Sequence, residues 1–189
     1  MTGSRASVVD QRESRRLKSF EFPQSFMTVD FEMRKAPQYR VATRTVTGGW
    51  PGDKALRAEF GELQSWAKEK GLRTGKWFFR EFGDDETPNA EWRWEIGVEI
   101  RGARLVRGEK GIVIKTLQSS PVATVTFNPD IVSPRVIYHG LADWLRHHEK
   151  AGEYKEAGAY REVYLANPWT NKRAWAHTQI QVPVKRLKP

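Results

Sequence analysis

In some segments of this chain apolar residues recur every two positions, which indicates strands, and in others about every 3.6 positions, which indicates helices. The order of these segments occurs twice along the chain. In the first half, a helix is predicted over 52–70, because its apolar residues share one face and Gly71 is suited to end it. Those apolar residues are Leu56, Phe60, Leu63 and Ala67. Alternating segments predict two strands before this helix, at 31–35 and 40–47, and two after it, at 76–82 and 92–101.

The second half has the same order of elements. Ser133 followed by Pro134 predicts the start of a helix, because serine caps helices and proline is tolerated in the first turn. This helix is expected to end at Gly152, with its inner face formed by Ile137, Leu141, Trp144, Leu145 and His148. Strands are predicted at 111–117, 123–127, 160–165 and 175–184.

Short sequence matches indicate that one half is a copy of the other. Residues 41–43 recur at 122–124, 75–77 align with 158–160, and 95–98 align with 179–182, in the same order and at nearly constant spacing. We therefore predict an α+β domain of two pseudo-symmetric repeats, 29–104 and 105–189. Each repeat has two strands, a helix and two strands, and a ligand cleft lies between the repeats.

Composition limits the class of protein. The 189 residues suit one domain with a substantial core, and the absence of cysteine excludes disulfides, thiolate chemistry and cysteine-based zinc sites. We found no apolar run long enough to cross a membrane and no signal peptide, which predicts a cytoplasmic protein without a membrane partner. The net charge of +9 is spread widely among 23 acidic residues, and we interpret it as a solvated basic surface.

Residues 1–28 differ from the rest of the chain. They are rich in Ser and Arg and have no sustained periodicity, which predicts a mobile tail. The segment is too short for a helix-turn-helix with its own core, so we expect no DNA-binding domain within this chain. Met27 is a candidate start of the natural chain.

The sequence lacks the common catalytic signatures, namely GxSxG, HExxH, Walker A and GxGxxG. His147 and His148 are adjacent on a predicted helix, where they cannot both face one metal ion. We therefore predict no cofactor and no metal, and enzyme activity stays undecided with the balance against it.

Candidate binding residues lie on the strands that the duplication makes equivalent. Trp77, Phe79 and Glu81 correspond to Tyr160, Glu162 and Tyr164, so that each repeat offers aromatic rings and one carboxylate. Such a cleft favours a flat, apolar and often cationic molecule. Alternatively, Glu162 is a surface residue paired with a nearby Lys or Arg.

Further wall residues are proposed from their places on polar faces or in loops: Glu95, which corresponds to Gln179, together with His177, Trp50, Trp169 and Trp175. Four other tryptophans share faces with apolar residues and are assigned to the core: Trp66, Trp92, Trp94 and Trp144. Tyr138 fits either the core or the cleft.

Several segments form a recognisable set: MRKAPQYRVA (33–42), TGGW (47–50), WAKEKGL (66–72), TP (87–88) before WRWEIGVEI (92–100), YREVYLANPWT (160–170) and TQIQVPV (178–184). In this order they resemble the GyrI-like small-molecule-binding domain, the effector-binding module of many bacterial transcription activators. The resemblance extends from about Val29 to Val184.

The resemblance implies a ligand cleft in which an acidic residue is the partner of a cation, and it places Glu162 at that position. The glutamate of the family's T-E-I motif is replaced here by Gln179. The implied function is binding of a hydrophobic or aromatic, possibly cationic, small molecule, with links to multidrug binding and transcription regulation. Two alternatives stay open: a small-molecule hydrolase that uses acids of the same cleft to activate water, and a protein-binding module of the gyrase-inhibitor type.

Overall fold

A computed structural model describes residues 29–48, 52–82, 87–102 and 106–187. The predictions for the tail 1–28, for Met27 and for Trp50 fall outside these residues. None of the helices in the described part of the chain combines the length and hydropathy that a bilayer crossing requires.

The described residues form a mixed α+β domain, as predicted. The helices are α1 (Gly52–Glu69), α2 (Pro134–Lys150) and α3 (Lys172–Ala176), with a 3-10 turn at Asn89–Glu91. The strands are β1 (Glu32–Ala36), β2 (Tyr39–Thr47), β3 (Arg73–Phe82), β4 (Arg93–Arg101), β5 (Val113–Leu117), β6 (Ser120–Phe127), β7 (Tyr154–Glu156), β8 (Arg161–Tyr164) and β9 (Thr178–Arg186).

The strands form a curled antiparallel sheet with the order β1-β6-β9-β8-β3-β4-β2-β5, and β7 pairs with β9. β3 and β8 meet at its centre, with Phe78 directly opposite Val163. Each edge strand pairs with the other half of the chain, β1 with β6 and β5 with β2. This order is symmetric about the β3–β8 pair, as a duplication would produce. The duplication itself and the repeat boundaries stay predictions.

Both long helices pack on one face of the sheet, and each covers its own hydrophobic core. The first core lies under α1 and contains its predicted stripe, with Phe60 2% and Leu63 0% exposed. The second lies under α2 and contains Ile137 and Leu141, which are 1% and 0% exposed. Burying such apolar side chains stabilises the fold by roughly 1.5–3 kcal/mol for each residue.

The assignment of tryptophans to the core is confirmed for three of the four. Trp66, Trp92 and Trp94 are 4%, 1% and 0% exposed and belong to the first core. Trp144 is only partly buried, because it lies at the rim of the second core, where its ring meets the His148 ring at 4.2 Å.

The opposite face of the sheet carries a smaller apolar cluster of Val41, Phe78 and Val163. We call this face, on which these three side chains lie, the outer face. α1 and α2 pack on the other side of the sheet, against the two larger cores. The sheet therefore offers two chemically different surfaces.

The predicted strand over 175–184 is wrong at its beginning. Residues Lys172–Ala176 form α3, and β9 starts only at Thr178. The Asn171 side chain caps this helix by accepting a hydrogen bond from the Ala174 backbone N–H at 3.0 Å. The Thr178 hydroxyl donates to the Trp175 carbonyl at 2.7 Å at the other end. Trp175 and His177 consequently do not share a strand face with Gln179.

Candidate functional site

The candidate site lies along β8, where the two cores meet. Tyr164 is buried in the first core, whereas Tyr160 packs against the second. Glu162 lies between them and is half-buried. Its cross-strand neighbours are Phe79 of β3 and Ile180 of β9, so its carboxylate is on the helix-covered face. We call the row Tyr160, Glu162 and Tyr164 the seam.

Two tyrosines hydrogen-bond the Glu162 carboxylate. The Tyr138 hydroxyl of α2 donates to Oε1 at 3.1 Å, and the Tyr164 hydroxyl donates to Oε2. The Tyr138 and Tyr160 rings lie 5.7 Å apart at an angle of 33°. A carboxylate has about four acceptor positions. The two phenols therefore fix the orientation of the carboxylate.

Tyr138 is held in its protonated form by its surroundings. Burial raises its pKa well above the ordinary value, and the charge of Glu162 and the neighbouring Tyr164 and Glu81 raise it further. Tyr138 therefore stays a hydrogen-bond donor at neutral pH. Glu81 is paired across the strands with Trp94 of the first core, so it lies on the same side of the sheet.

The wall from the first half is tightly packed. Trp77 lies directly across from Tyr164 and is 2% exposed, and Phe79 is 6% exposed. The Phe60 ring of α1 stacks on Trp77 at 5.7 Å and meets the Tyr164 ring edge-on at 6.5 Å. These rings form a fixed boundary of the seam, and little of their surface is open to a ligand.

Three predicted wall residues come from the segment 169–177, which contains α3. Trp169 meets Phe60 at 6.5 Å, and both Trp169 and Trp175 pack at the margin of the first core. The Trp175 indole N–H donates to the Asp130 carboxylate at 2.9 Å. His177 is exposed, and its Nδ1 lies 3.0 Å from the Arg173 carbonyl.

Glu95 and Gln179 do not share the site with Glu162, because they lie on the outer face. Glu95 is paired across the strands with Arg80, and Gln179 with Val163. Glu95 is 3% exposed and forms ion pairs with Arg80, at 2.7 Å, and with Lys115. The Gln179 amide donates to the Thr126 hydroxyl at 3.3 Å.

Tyr138 is the site residue that the sequence left undecided. It lies one residue after Ile137 and three before Leu141 on α2, beside the buried stripe, and it is half-buried at the margin of the second core. The available signal was its hydroxyl, since a buried tyrosine normally needs a hydrogen-bond partner. Among the described residues, no group of three His, Asp or Glu side chains is arranged to hold a metal ion.

The chain is thus an α+β domain with two helix-backed cores and a tyrosine-bound carboxylate between them. The family model of the GyrI-like small-molecule-binding domain matches residues 29–185. The chain therefore belongs to the GyrI-like small-molecule-binding domain family. No curated protein sequence matches it significantly.

Solved structures share this fold. The crystal structure of the EcmrR C-terminal domain matches with a TM-score of 0.64 and 20% identity, over 85% of this chain and 100% of that one. EcmrR in its DNA complex matches with a TM-score of 0.65 and 19% identity, over 86% of this chain and 59% of the other. A hydrolase from Listeria innocua matches with a TM-score of 0.52 and 12% identity, over 82% and 91%.

Proposed function

We propose that the domain binds a flat, hydrophobic or aromatic cation at the seam, with Glu162 as its charge partner. The observation that carries this proposal is the position of the carboxylate, which is half-buried between two cores and hydrogen-bonded by two tyrosines. Partial desolvation strengthens the attraction of a carboxylate for a cation.

The tyrosines favour a cation without N–H donors of its own. Tyr138 and Tyr164 already donate to the carboxylate, so a ligand need not supply those hydrogen bonds. The faces of aromatic rings attract a diffuse cation by about 0.5–2 kcal/mol each. Tyr160, whose ring is half-buried beside Tyr138, is the ring proposed to cover the ligand.

The test compares two ligands of one shape. 1-Methylquinolinium is a flat cation, and 1-methylnaphthalene is its neutral counterpart. Thermal unfolding and tryptophan fluorescence are measured with each ligand for wild type, Glu162→Gln and the control Glu62→Gln. Glu62 is an exposed residue of α1, so its substitution makes the same charge change away from the seam.

We expect the cation to stabilise wild type and Glu62→Gln alike. Glu162→Gln should weaken cation binding about tenfold, or about 1.4 kcal/mol, and leave the neutral compound unaffected. Equal weakening of both ligands would mean that Glu162 shapes the seam without pairing with charge. If the cation binds Glu162→Gln as tightly as wild type, the proposed role of Glu162 is wrong.

Coupling of this binding to transcription is a further proposal. EcmrR contains the matched fold within a chain that was solved bound to DNA. By analogy, ligand binding here would regulate a DNA-binding partner. The hydrolase and protein-binding alternatives stay predictions. A hydrolase would turn over an electrophile with loss of rate in Glu162→Gln, and a protein-binding module would retain its partner in that variant.

A further inference from the structure

The outer face carries a second pocket, separated from the seam by the thickness of the sheet. It is shallow and open, and the space it encloses is only about 20 Å³. Its floor is apolar and comes from β2, β3, β5 and β8, with Tyr39, Val41, Phe78, Leu117 and Val163. Its polar lining consists of Lys76, Glu99, Arg161 and Gln181. We call it the outer pocket.

Arg161 is the unusual member of this lining. It is 8% exposed, and its Nε donates to the Gln181 side-chain oxygen at 2.8 Å. Within the described ranges, no carboxylate forms an ion pair with it. Burial lowers the pKa of Arg161, and the charge of Arg80 lowers it further. A buried guanidinium has five N–H donors, and a single neutral acceptor leaves its charge uncompensated.

The one acid of the pocket is already neutralised by another residue. Both Glu99 oxygens accept hydrogen bonds from Arg101, from Nε at 2.8 Å and from Nη2 at 3.1 Å. One of them also accepts the Lys76 backbone N–H at 3.1 Å. The Lys76 ammonium lies 5.8 Å from the centre of the Tyr39 ring. Lys76 and Arg161 thus leave the pocket with a net positive charge.

Local backbone geometry explains how Glu99 reaches Lys76. The β3–β4 register shifts between Thr74 and Trp77, which releases the Lys76 N–H from the ladder. A side chain on Gly75 would meet Glu99 Oε2 at 2.2 Å, so only glycine allows the carboxylate to lie across the bulge. The segment Gly75-Lys76 therefore sets the charge pattern of the pocket.

We propose that the outer pocket is a second ligand site, which binds a small organic anion with one carboxylate or sulfonate group. The anionic group pairs with Arg161 and Lys76 at the base of the pocket, and its apolar body lies across the open mouth. A guanidinium presents parallel N–H donors that match a planar carboxylate. The enclosed space admits the anionic group alone, so the apolar body, which is one or two fused rings or a short hydrocarbon chain, stays outside it.

Two probes of one shape test the charge requirement by isothermal titration calorimetry. Naphthalene-2-sulfonate carries the negative charge, and naphthalene-2-sulfonamide is its neutral isostere. We expect the sulfonate to bind wild type at least about tenfold more tightly than the sulfonamide. Amide NMR shifts should localise the sulfonate to residues 76–79 and 161–163. Equal affinity of the probes, no sulfonate binding at millimolar concentrations, or shifts confined to α1 and α2 would overturn the proposal.

Variants that change the charge of the pocket in opposite directions distinguish an effect of charge from a general loss of structure. Arg161→Gln and Lys76→Gln should weaken sulfonate binding, whereas Glu99→Gln should strengthen it, since it removes the only negative charge of the lining. Arg107→Gln, at an exposed position outside the pocket, is the charge-matched control and should change nothing.

Thermal unfolding shows whether each variant is folded. If Arg161→Gln does not fold, the opposite effects of Lys76→Gln and Glu99→Gln decide the question. A folded Arg161→Gln with wild-type affinity, or weaker binding in Glu99→Gln, refutes the proposal. Glu162→Gln should leave sulfonate binding unchanged, which keeps this result independent of the seam.

Discussion

Gly97 gives the sharpest test of the packing on the outer face. It lies in the middle of β4, directly opposite Phe78. A Cβ built on Gly97 would lie 2.1 Å from Cζ and 2.3 Å from Cε1 of the Phe78 ring. The ring is 5% exposed and packs with Val41 and Val163. Gly97→Ala must therefore displace a buried ring that has little room to move.

The expected magnitude follows from two opposing effects. Forcing extra volume into a packed site typically costs about 1–3 kcal/mol. Replacing glycine by alanine within a strand otherwise gains about 0.5–1 kcal/mol, because the unfolded chain becomes less flexible. Gly97→Ala should thus destabilise the domain by about 1 kcal/mol. In a Phe78→Ala background the ring is gone, and the same substitution should stabilise by about 0.5–1 kcal/mol.

The assay is urea unfolding of wild type, both single variants and the double variant, followed by tryptophan fluorescence and circular dichroism. The reversal of sign predicts a coupling energy of about 1–3 kcal/mol between the two positions. Gly61→Ala on α1 is the control, because a Cβ there has nothing within 4 Å. That control should be stabilising by up to about 1 kcal/mol. Additive effects of Gly97→Ala and Phe78→Ala would refute the proposed contact.

Two further predictions concern a helix cap and a half-buried acid. Asn171→Ala removes the hydrogen bond to the Ala174 N–H and should cost about 0.5–2 kcal/mol in urea unfolding, whereas Asn171→Ser should retain most of the stability. Burial acts to raise the pKa of Glu99, but hydrogen bonds from Arg101 and the Lys76 N–H outweigh it and lower the pKa below 4.5. The resulting stabilisation is present above the ordinary carboxyl pKa and is lost as the pH falls through the folded-state value. Below pH 4.5 the unfolding temperature of Glu99→Gln should therefore fall less steeply with decreasing pH than that of wild type. Identical slopes for the two proteins would contradict this.

Local periodicity predicts those parts of the fold that depend on one segment at a time. The stripe of α1 and the Ser133-Pro134 start of α2 are visible in sequence because each depends on neighbours within a few turns. α3 was missed because its five residues are too few to show a helical period. The sequence around Trp175 also alternates by chance, and the Asn171 cap decided the outcome.

The composition of the seam was only partly predictable, since it depends on pairing between distant strands. Alternation correctly places Gln179 and Ile180 on opposite faces of β9, but it does not specify which of the two shares a face with Glu162. The register places Glu162 opposite Ile180 and Val163 opposite Gln179. A slip of one residue would reverse both faces, and no local signal specifies it. The same argument explains why Glu95 lies with Arg80 and away from Phe79.

Arg161 and Glu162 are consecutive residues of opposite charge that cannot pair across the sheet. Because successive strand residues face opposite sides, β8 directs the guanidinium to the outer face and the carboxylate to the seam. On its own face Arg161 donates to Gln181, and Glu162 accepts hydrogen bonds from two tyrosines. The neutral Gln181 orients the charge of Arg161 but does not cancel it. The central strand β8 thus places a negative charge at the seam and a positive charge on the outer face. For this reason we propose a cation at the seam and an anion in the outer pocket.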